Sequence, residues 1–346
     1  MIKPLSYAEI LPKLRILKSK LLTPDKAREL LSTSTIEDAL AVLRDTMYAV
    51  ASEARSVEGA TVALVNLFFS IARGLEAHAP SDAKQFIKAF MGDEELRDAL
   101  IALQRAYLGK PGVYELPTYR VEGSLLRRIA QDPEAIANPH RFVEAAQDTW
   151  ARSFILRVSE LYNEAKEARV VSWYHLPSSI KLYASAMEKL DSVSRRNVER
   201  ILCPMIHYRI ASALLQAKAS NFDARILDRV MEGLKACGVN WAQLRLVYER
   251  EPSPQDLTVS LRDLLRRVRL EGKDYIEALE SARRSYRVES KMSALAAYAS
   301  YPYNPALVVA ALMLVKLDIE DVKTALTSIS LRLKPDEYTV LTVFER

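Results

Sequence analysis

The chain has 346 residues with 49 Lys+Arg against 44 Asp+Glu, a formal charge of +5, 49% hydrophobic residues, 9 Gly and 15 Pro. That apolar fraction excludes a disordered chain, which could not bury a core. Nine glycines are too few for a nucleotide-cradling α/β fold or a turn-rich β protein, because both need many positions with positive φ.

Taken in chain order, almost every segment predicts a helix. Met1-Ile2-Lys3-Pro4 has no charged-then-apolar leader pattern, so no secretory leader is expected. Thr23-Pro24 begins a helix: a capping side chain accepts a free backbone N–H, and proline at the first helical position loses no bond. Ser34-Thr35-Ile36-Glu37 predicts a capping box with Ser34 and Glu37 as its partners. Ala39, Leu40, Leu43 and Met47 then place one apolar face on a helix over 37–47. Gly109-Lys110-Pro111-Gly112 is a breaker cluster and a joint. Asp132-Pro133 and Asn138-Pro139 open two further helices, and the capping stretch Ala219-Ser220-Asn221-Phe222-Asp223 marks a second joint. Val230, Leu234 and Cys237 read as another helical face, after which Ser253-Pro254 and Asn304-Pro305 start two more helices. Ala306 to Val315 is the longest unbroken apolar run and predicts a buried core helix. It is shorter than the roughly 20 residues a membrane span needs, so no span is expected. Ile319, Val322, Ala325, Leu326 and Ile329 carry the same periodicity onward. The prediction is an all-α protein.

The segment 36–45 resembles 254–263 at an offset of 218: Asp38 maps to Asp256 and Leu43-Arg44-Asp45 to Leu261-Arg262-Asp263. Half that offset points to a third, diverged copy near Glu144 to Trp150. With the two joints this predicts three similar helical modules, 1–110, 111–220 and 221–346, in a pseudo-threefold body or a short solenoid.

The residues of ordinary chemistry are scattered. His78, His140, His175 and His207 stand singly, without the i, i+4 partner or nearby Cys of a zinc site, so no metal ligands are predicted. Cys203 and Cys237 are too few for a disulfide framework and read as small buried hydrophobes in a reducing compartment. Gly109-Lys110 lacks the upstream Gly and following Ser/Thr of a phosphate loop. Glu94-Glu95 and Glu320-Asp321 read as first-turn acids that complement a helix dipole. No catalytic residue, cofactor or small-molecule substrate is predicted.

The positive excess is spread evenly along the chain, a poor match for a nucleic-acid binder. The densest charge is Arg262, Arg266, Arg267 and Arg269, followed by Lys273, Arg283, Arg284, Arg287 and Lys291. Asp263, Glu271, Asp274, Glu277, Glu280 and Glu289 are interleaved with them. One reading is a solvated helical pair laced with ion pairs. The sharper one is a docking surface for an acidic partner, carried by Arg262, Arg266, Arg267 and Arg269.

Tyr7, Arg15, Leu21-Leu22, Pro24, Leu30-Leu31, Leu43, Thr46 and Tyr48 resemble the opening of the C-subunit (d-subunit) family of archaeal and vacuolar-type rotary ATPases. Tyr301-Pro302-Tyr303, Val308 to Lys316, Asp318 to Val322 and Leu326 are similar to its ending. The resemblance implies an all-helical, pseudo-threefold, funnel-shaped, non-catalytic subunit. It would lie on the cytoplasmic face of the membrane as a socket between the central shaft subunits and the proteolipid ring, passing on torque. Tyr7, Arg15, Tyr301 and Tyr303 are then expected to pack modules together. The alternative is a helical-repeat scaffold that binds protein or RNA on a concave surface.

Overall fold

The computed structural model describes residues 3–300 and 302–333, and these are helical almost throughout. All five proline junctions start helices as their sequence predicts. Thr23 accepts from the Lys26 amide at 3.3 Å, Asp132 from Glu134 at 3.0 Å and Asn138 from His140 at 2.9 Å. Ser253 accepts from Asp256 at 3.1 Å and Asn304 from Ala306 at 2.9 Å. The predicted box is displaced by one residue: the cap is Thr35, whose hydroxyl accepts from the Asp38 amide at 3.1 Å and donates to the Asp38 carboxylate at 2.7 Å.

Two helices are shorter than their periodicity predicts. Ile36–Val42 gives way to a 3₁₀ turn at Leu43–Asp45, and Thr46 leaves the helical region altogether. Ala224–Met231 stops before Leu234, because Gly233 takes a φ of +72°. Leu234 and Cys237 therefore belong to a small hairpin, Lys235–Ala236 paired antiparallel with Val239–Asn240. Cys237 and Gly238 form its two-residue loop with φ of +54° and +82°, the left-handed pair that a type I′ turn requires.

The chain divides into two compact units, Met1–Met91 with Leu190–Ile201 and Arg287–Arg346, and Gly92–Lys189 with Leu202–Tyr286. Three long helices, Ser81–Tyr107, Ser192–Ala219 and Tyr275–Ala299, contribute residues to both.

The first unit is built on the helix Pro305–Ser330. Every residue from Pro305 to Val315 is buried, so this first part of the helix is apolar all round, as a core helix is. Leu11–Ser19, Pro24–Leu31, Ile36–Val42 and Val57–Glu76 pack against it. Val57–Glu76 is the one helix among the described residues long and apolar enough to cross a membrane. Its buried stripe of Ala60, Leu64, Phe68, Ala72 and Leu75 instead follows the spacing of a helix lying on a core.

Buried charge in this unit is paired. Arg287, 2% exposed, holds Asp321, which is fully buried, and Glu320 at 2.5 Å. Asp318 accepts from the Leu22 amide at 2.6 Å and the Tyr48 hydroxyl at 2.7 Å, tying two distant segments to the core helix. Burial raises its carboxyl to about 7. Tyr7 is buried and donates to Asp82 at 3.0 Å, and burial raises its phenol too. Arg15, expected to pack, is exposed instead, because it lies on the outer face of Leu11–Ser19, whose inward residue is Leu14. Tyr303 is half-buried, and Tyr301 lies outside the described residues.

In the second unit Asp93 is the polar centre. It accepts from Arg209 at 2.7 Å, from Tyr183 at 3.1 Å and from a ring nitrogen of His175 at 3.0 Å, and Arg209 also meets Ser179. Such a buried carboxylate is sustained only by a full set of donors. Glu94 and Glu95 sit well inside Ser81–Tyr107 rather than in a first turn, since that helix begins at Ser81. Glu94 pairs with Arg97 at 2.7 Å, and Glu95 accepts from the Trp150 indole at 3.0 Å. Glu320 and Asp321 likewise lie inside Pro305–Ser330, where they face Arg287.

Candidate functional site

The four arginines of the densest charge fall at one junction. Arg262 occupies the last turn of Pro254–Leu264, and Arg266, Arg267 and Arg269 lie in the segment that leads to Tyr275–Ala299. The segment alternates because its apolar residues anchor it. Leu265, Val268 and Leu270 are buried, which leaves Arg266, Arg267 and Arg269 on the outside, with Arg262 exposed beside them.

Backbone and side-chain bonds hold this shape. Arg262 Nε donates to the Leu270 carbonyl at 2.6 Å, and Arg266 Nε to the Asp263 carbonyl at 2.9 Å. The Arg267 amide donates to His207 Nδ1 at 3.2 Å, and the Arg269 amide to Ser285 Oγ at 2.8 Å. At its end, Gly272 packs so closely on the next helix that a β-carbon there would lie 2.5 Å from Glu277 Cβ.

No carboxylate among the described residues lies within ion-pair distance of Arg262, Arg266, Arg267 or Arg269. Two of the interleaved acids, Asp274 and Glu277, serve the backbone instead. Asp274 caps the amides of Ile276 and Glu277 at 2.8 and 2.9 Å, and Glu277 accepts from the Lys273 amide at 2.8 Å. Further along the stretch Arg287 does ion-pair, with Glu320 and Asp321. The junction has four exposed arginines, and Arg262 and Arg266, whose Nε atoms bond carbonyls, still present their terminal nitrogens for a carboxylate.

The remaining candidates resolve into structural roles. Gly109 has a φ of +64° and ends Ser81–Tyr107, with the Lys110 amide returning to the Arg105 carbonyl at 2.9 Å; it is a helix C-terminus of the glycine type. Among the described residues no group of three His, Cys, Asp or Glu is arranged to hold a metal ion. A cleft of about 610 Å³ in the second unit is lined by Ser153, Arg157, Tyr174, Lys181 and Glu188. Lys181 is half-buried there, and burial, aided by Arg157, lowers its pKa. No histidine or aspartate lines that cleft to act with it.

The cysteines correct the sequence reading. Cys203 and Cys237 are joined in a disulfide with their Cα atoms 5.5 Å apart, and are not free buried thiols. The hairpin, which periodicity had disguised as a helical face, is what carries Cys237 to Cys203 on Ser192–Ala219. His207, 3% exposed, lies between that hairpin and the arginine segment: its Nε2 is 3.1 Å from the Cys237 carbonyl. Burial lowers its pKa. A lone histidine in sequence gave no sign of this bridging position.

Compared with known proteins, residues 10–339 match the model of a family described as ATP synthase (C/AC39) subunit. No curated protein matches the chain.

Proposed function

As the chain belongs to the ATP synthase (C/AC39) subunit family, and is thus a subunit of a membrane-associated A/V-type rotary ATPase, we propose that it is a non-catalytic part of the central stalk. In this reading it is a socket on the cytoplasmic face of the membrane. One interface takes the central shaft subunits and another the proteolipid ring, and torque passes between them. The observation that carries the reading is the family match over nearly the whole chain, residues 10–339.

A three-module, pseudo-threefold construction is part of the proposal, and paired details support it. Thr35 caps Ile36–Val42 and bonds Asp38; at the offset of 218, Ser253 caps Pro254–Leu264 and bonds Asp256 at 2.5 Å. At the same offset the helix caps Ser56 and Asp274 precede Val57–Glu76 and Tyr275–Ala299. Each proposed module, 1–110, 111–220 and 221–346, also begins one of the three helices that contribute to both compact units.

We assign partner contact to Arg262, Arg266, Arg267 and Arg269, which are exposed and meet no carboxylate among the described residues. Their complement is an acidic face on a shaft subunit. Charge reversal at two of them, Arg266→Glu with Arg269→Glu, should weaken reconstitution with the shaft subunits most at low salt, where exposed charges act furthest. Unchanged binding at low salt rejects the assignment. Failure of the wild-type chain to join shaft subunits and solubilised proteolipid ring rejects the socket.

A further inference from the structure

We infer that the Cys203–Cys237 disulfide governs whether the arginine segment is held ready for docking, with His207 as the relay between them. The inference rests on the reading of that segment as a docking surface.

Cys203 and His207 are four residues apart on Ser192–Ala219, and so share a helix face. The disulfide fixes the hairpin loop against that face. Cys237 is held there with a φ of +54°, a conformation that residues with a β-carbon disfavour. Its carbonyl is thereby placed 3.1 Å from His207 Nε2. On the other side of the ring, Nδ1 is 3.2 Å from the Arg267 amide. An amide N–H only donates, so in its bond with Arg267 Nδ1 accepts, and Nε2 then carries the ring proton and donates to Cys237; the Leu265 carbonyl is a further backbone partner of the ring. One neutral imidazole thus fastens the hairpin loop on one side and the arginine segment on the other.

A dithiol reductant cuts this line at its start. Its thiolate attacks the sulfur of Cys237, the less buried of the two cysteines, Cys203 leaves as thiolate and takes a proton, and the second thiol of the reductant then releases Cys237. The S–S bond is replaced by two thiols, and the reductant becomes its own disulfide, having supplied two electrons and two protons. Freed from Cys203, the loop can leave its left-handed conformation. The Cys237 carbonyl moves away, the ring loses the bond that holds it from the hairpin side, and the Leu265 carbonyl then competes with the Arg267 amide for it. Arg267 loses its fastening, whereas the Arg269 amide keeps Ser285 and Arg262 keeps Leu270. The segment loosens at its centre without unfolding.

The test uses the full chain, oxidised or reduced with dithiothreitol, so no variant has to fold for the main comparison. Amide hydrogen exchange at Arg267 should accelerate about tenfold on reduction, the worth of one hydrogen bond, while Arg269 stays unchanged. His207→Ala with the disulfide intact should reproduce the fast Arg267 exchange. Capture of a poly-L-glutamate probe at low salt should weaken severalfold on reduction and disappear in the Arg266→Glu, Arg269→Glu protein. Equal Arg267 exchange in both redox states overturns the latch, whatever the probe does. Faster exchange with probe capture indifferent to reduction, yet lost on charge reversal, leaves the docking surface standing and overturns its control by the disulfide. Probe capture indifferent to charge reversal removes the surface, and the inference falls with it.

Discussion

Asp318→Asn should make the first unit more stable at neutral and alkaline pH while leaving it nearly unchanged in acid. Asp318 is 9% exposed and accepts two hydrogen bonds, from the Leu22 amide and the Tyr48 hydroxyl. Those donors favour the carboxylate, as does Lys291, but burial outweighs them, and Asp321 adds like charge; the folded-state value rises from 3.8 to about 7. That difference corresponds to about 4 kcal/mol. The unfolded chain releases this proton near pH 4 and the folded chain only near pH 7. Between those values the folded state binds more protons, so stability falls as pH rises and levels off above about pH 7.

Asparagine keeps an oxygen to accept from Leu22 and Tyr48 but has no charge to bury. Urea unfolding of both proteins at several pH values between 4.5 and 8 measures the effect. The stability advantage of Asp318→Asn should grow from near zero to about 2–4 kcal/mol across that range, the lower bound allowing for relaxation around the charge. Tyr48→Phe should steepen the pH dependence, since it removes a donor that favours the ionised form. A constant difference between wild type and Asp318→Asn at all pH values would refute the reasoning, as would an asparagine protein weaker throughout.

Three further outcomes follow from the packing. Arg287→Met leaves the fully buried Asp321 without its cation and should cost about 3–5 kcal/mol, whereas Arg287→Met with Asp321→Leu should recover much of it in the same unfolding assay. A double variant weaker than the single one contradicts this. Thr35→Ala and Ser253→Ala each remove the cap of a helix that the proposed three-module construction makes equivalent, and should each cost about 1 kcal/mol, measured by thermal unfolding. Clearly unequal losses would speak against equivalent roles. Gly272→Ala sets a β-carbon against Glu277 and the Ala278 amide and should destabilise by about 1–3 kcal/mol. It should also speed exchange in the neighbouring arginine segment, and an unshifted midpoint with unchanged exchange would show that the contact gives way freely.

Much of this protein was legible in its residues because local chemistry decides it. Five capping residues before proline set five helix starts, since the bond from cap to amide is closed within two or three residues. The apolar run from Ala306 to Val315 reads as a core helix, because so many unrelieved apolar side chains call for burial and the run is too short to span a membrane. The cluster Arg262, Arg266, Arg267 and Arg269 was visible as composition.

What composition could not say is which charges meet. Asp321 and Arg287 look like surface residues in sequence and are buried together, with Glu320 beside them, while Asp274 and Glu277 bond backbone amides rather than the four arginines. The disulfide was hidden for a related reason. Spacing placed Cys237 on a helix, and only the turn at Gly233 and Gly238 folds it back onto Cys203. Local rules act over a few residues, and so they fix helices and caps. Pairing between residues tens or hundreds of positions apart is decided by burial, which penalises every unpaired charge or donor and so selects partners only once the chain has folded around them.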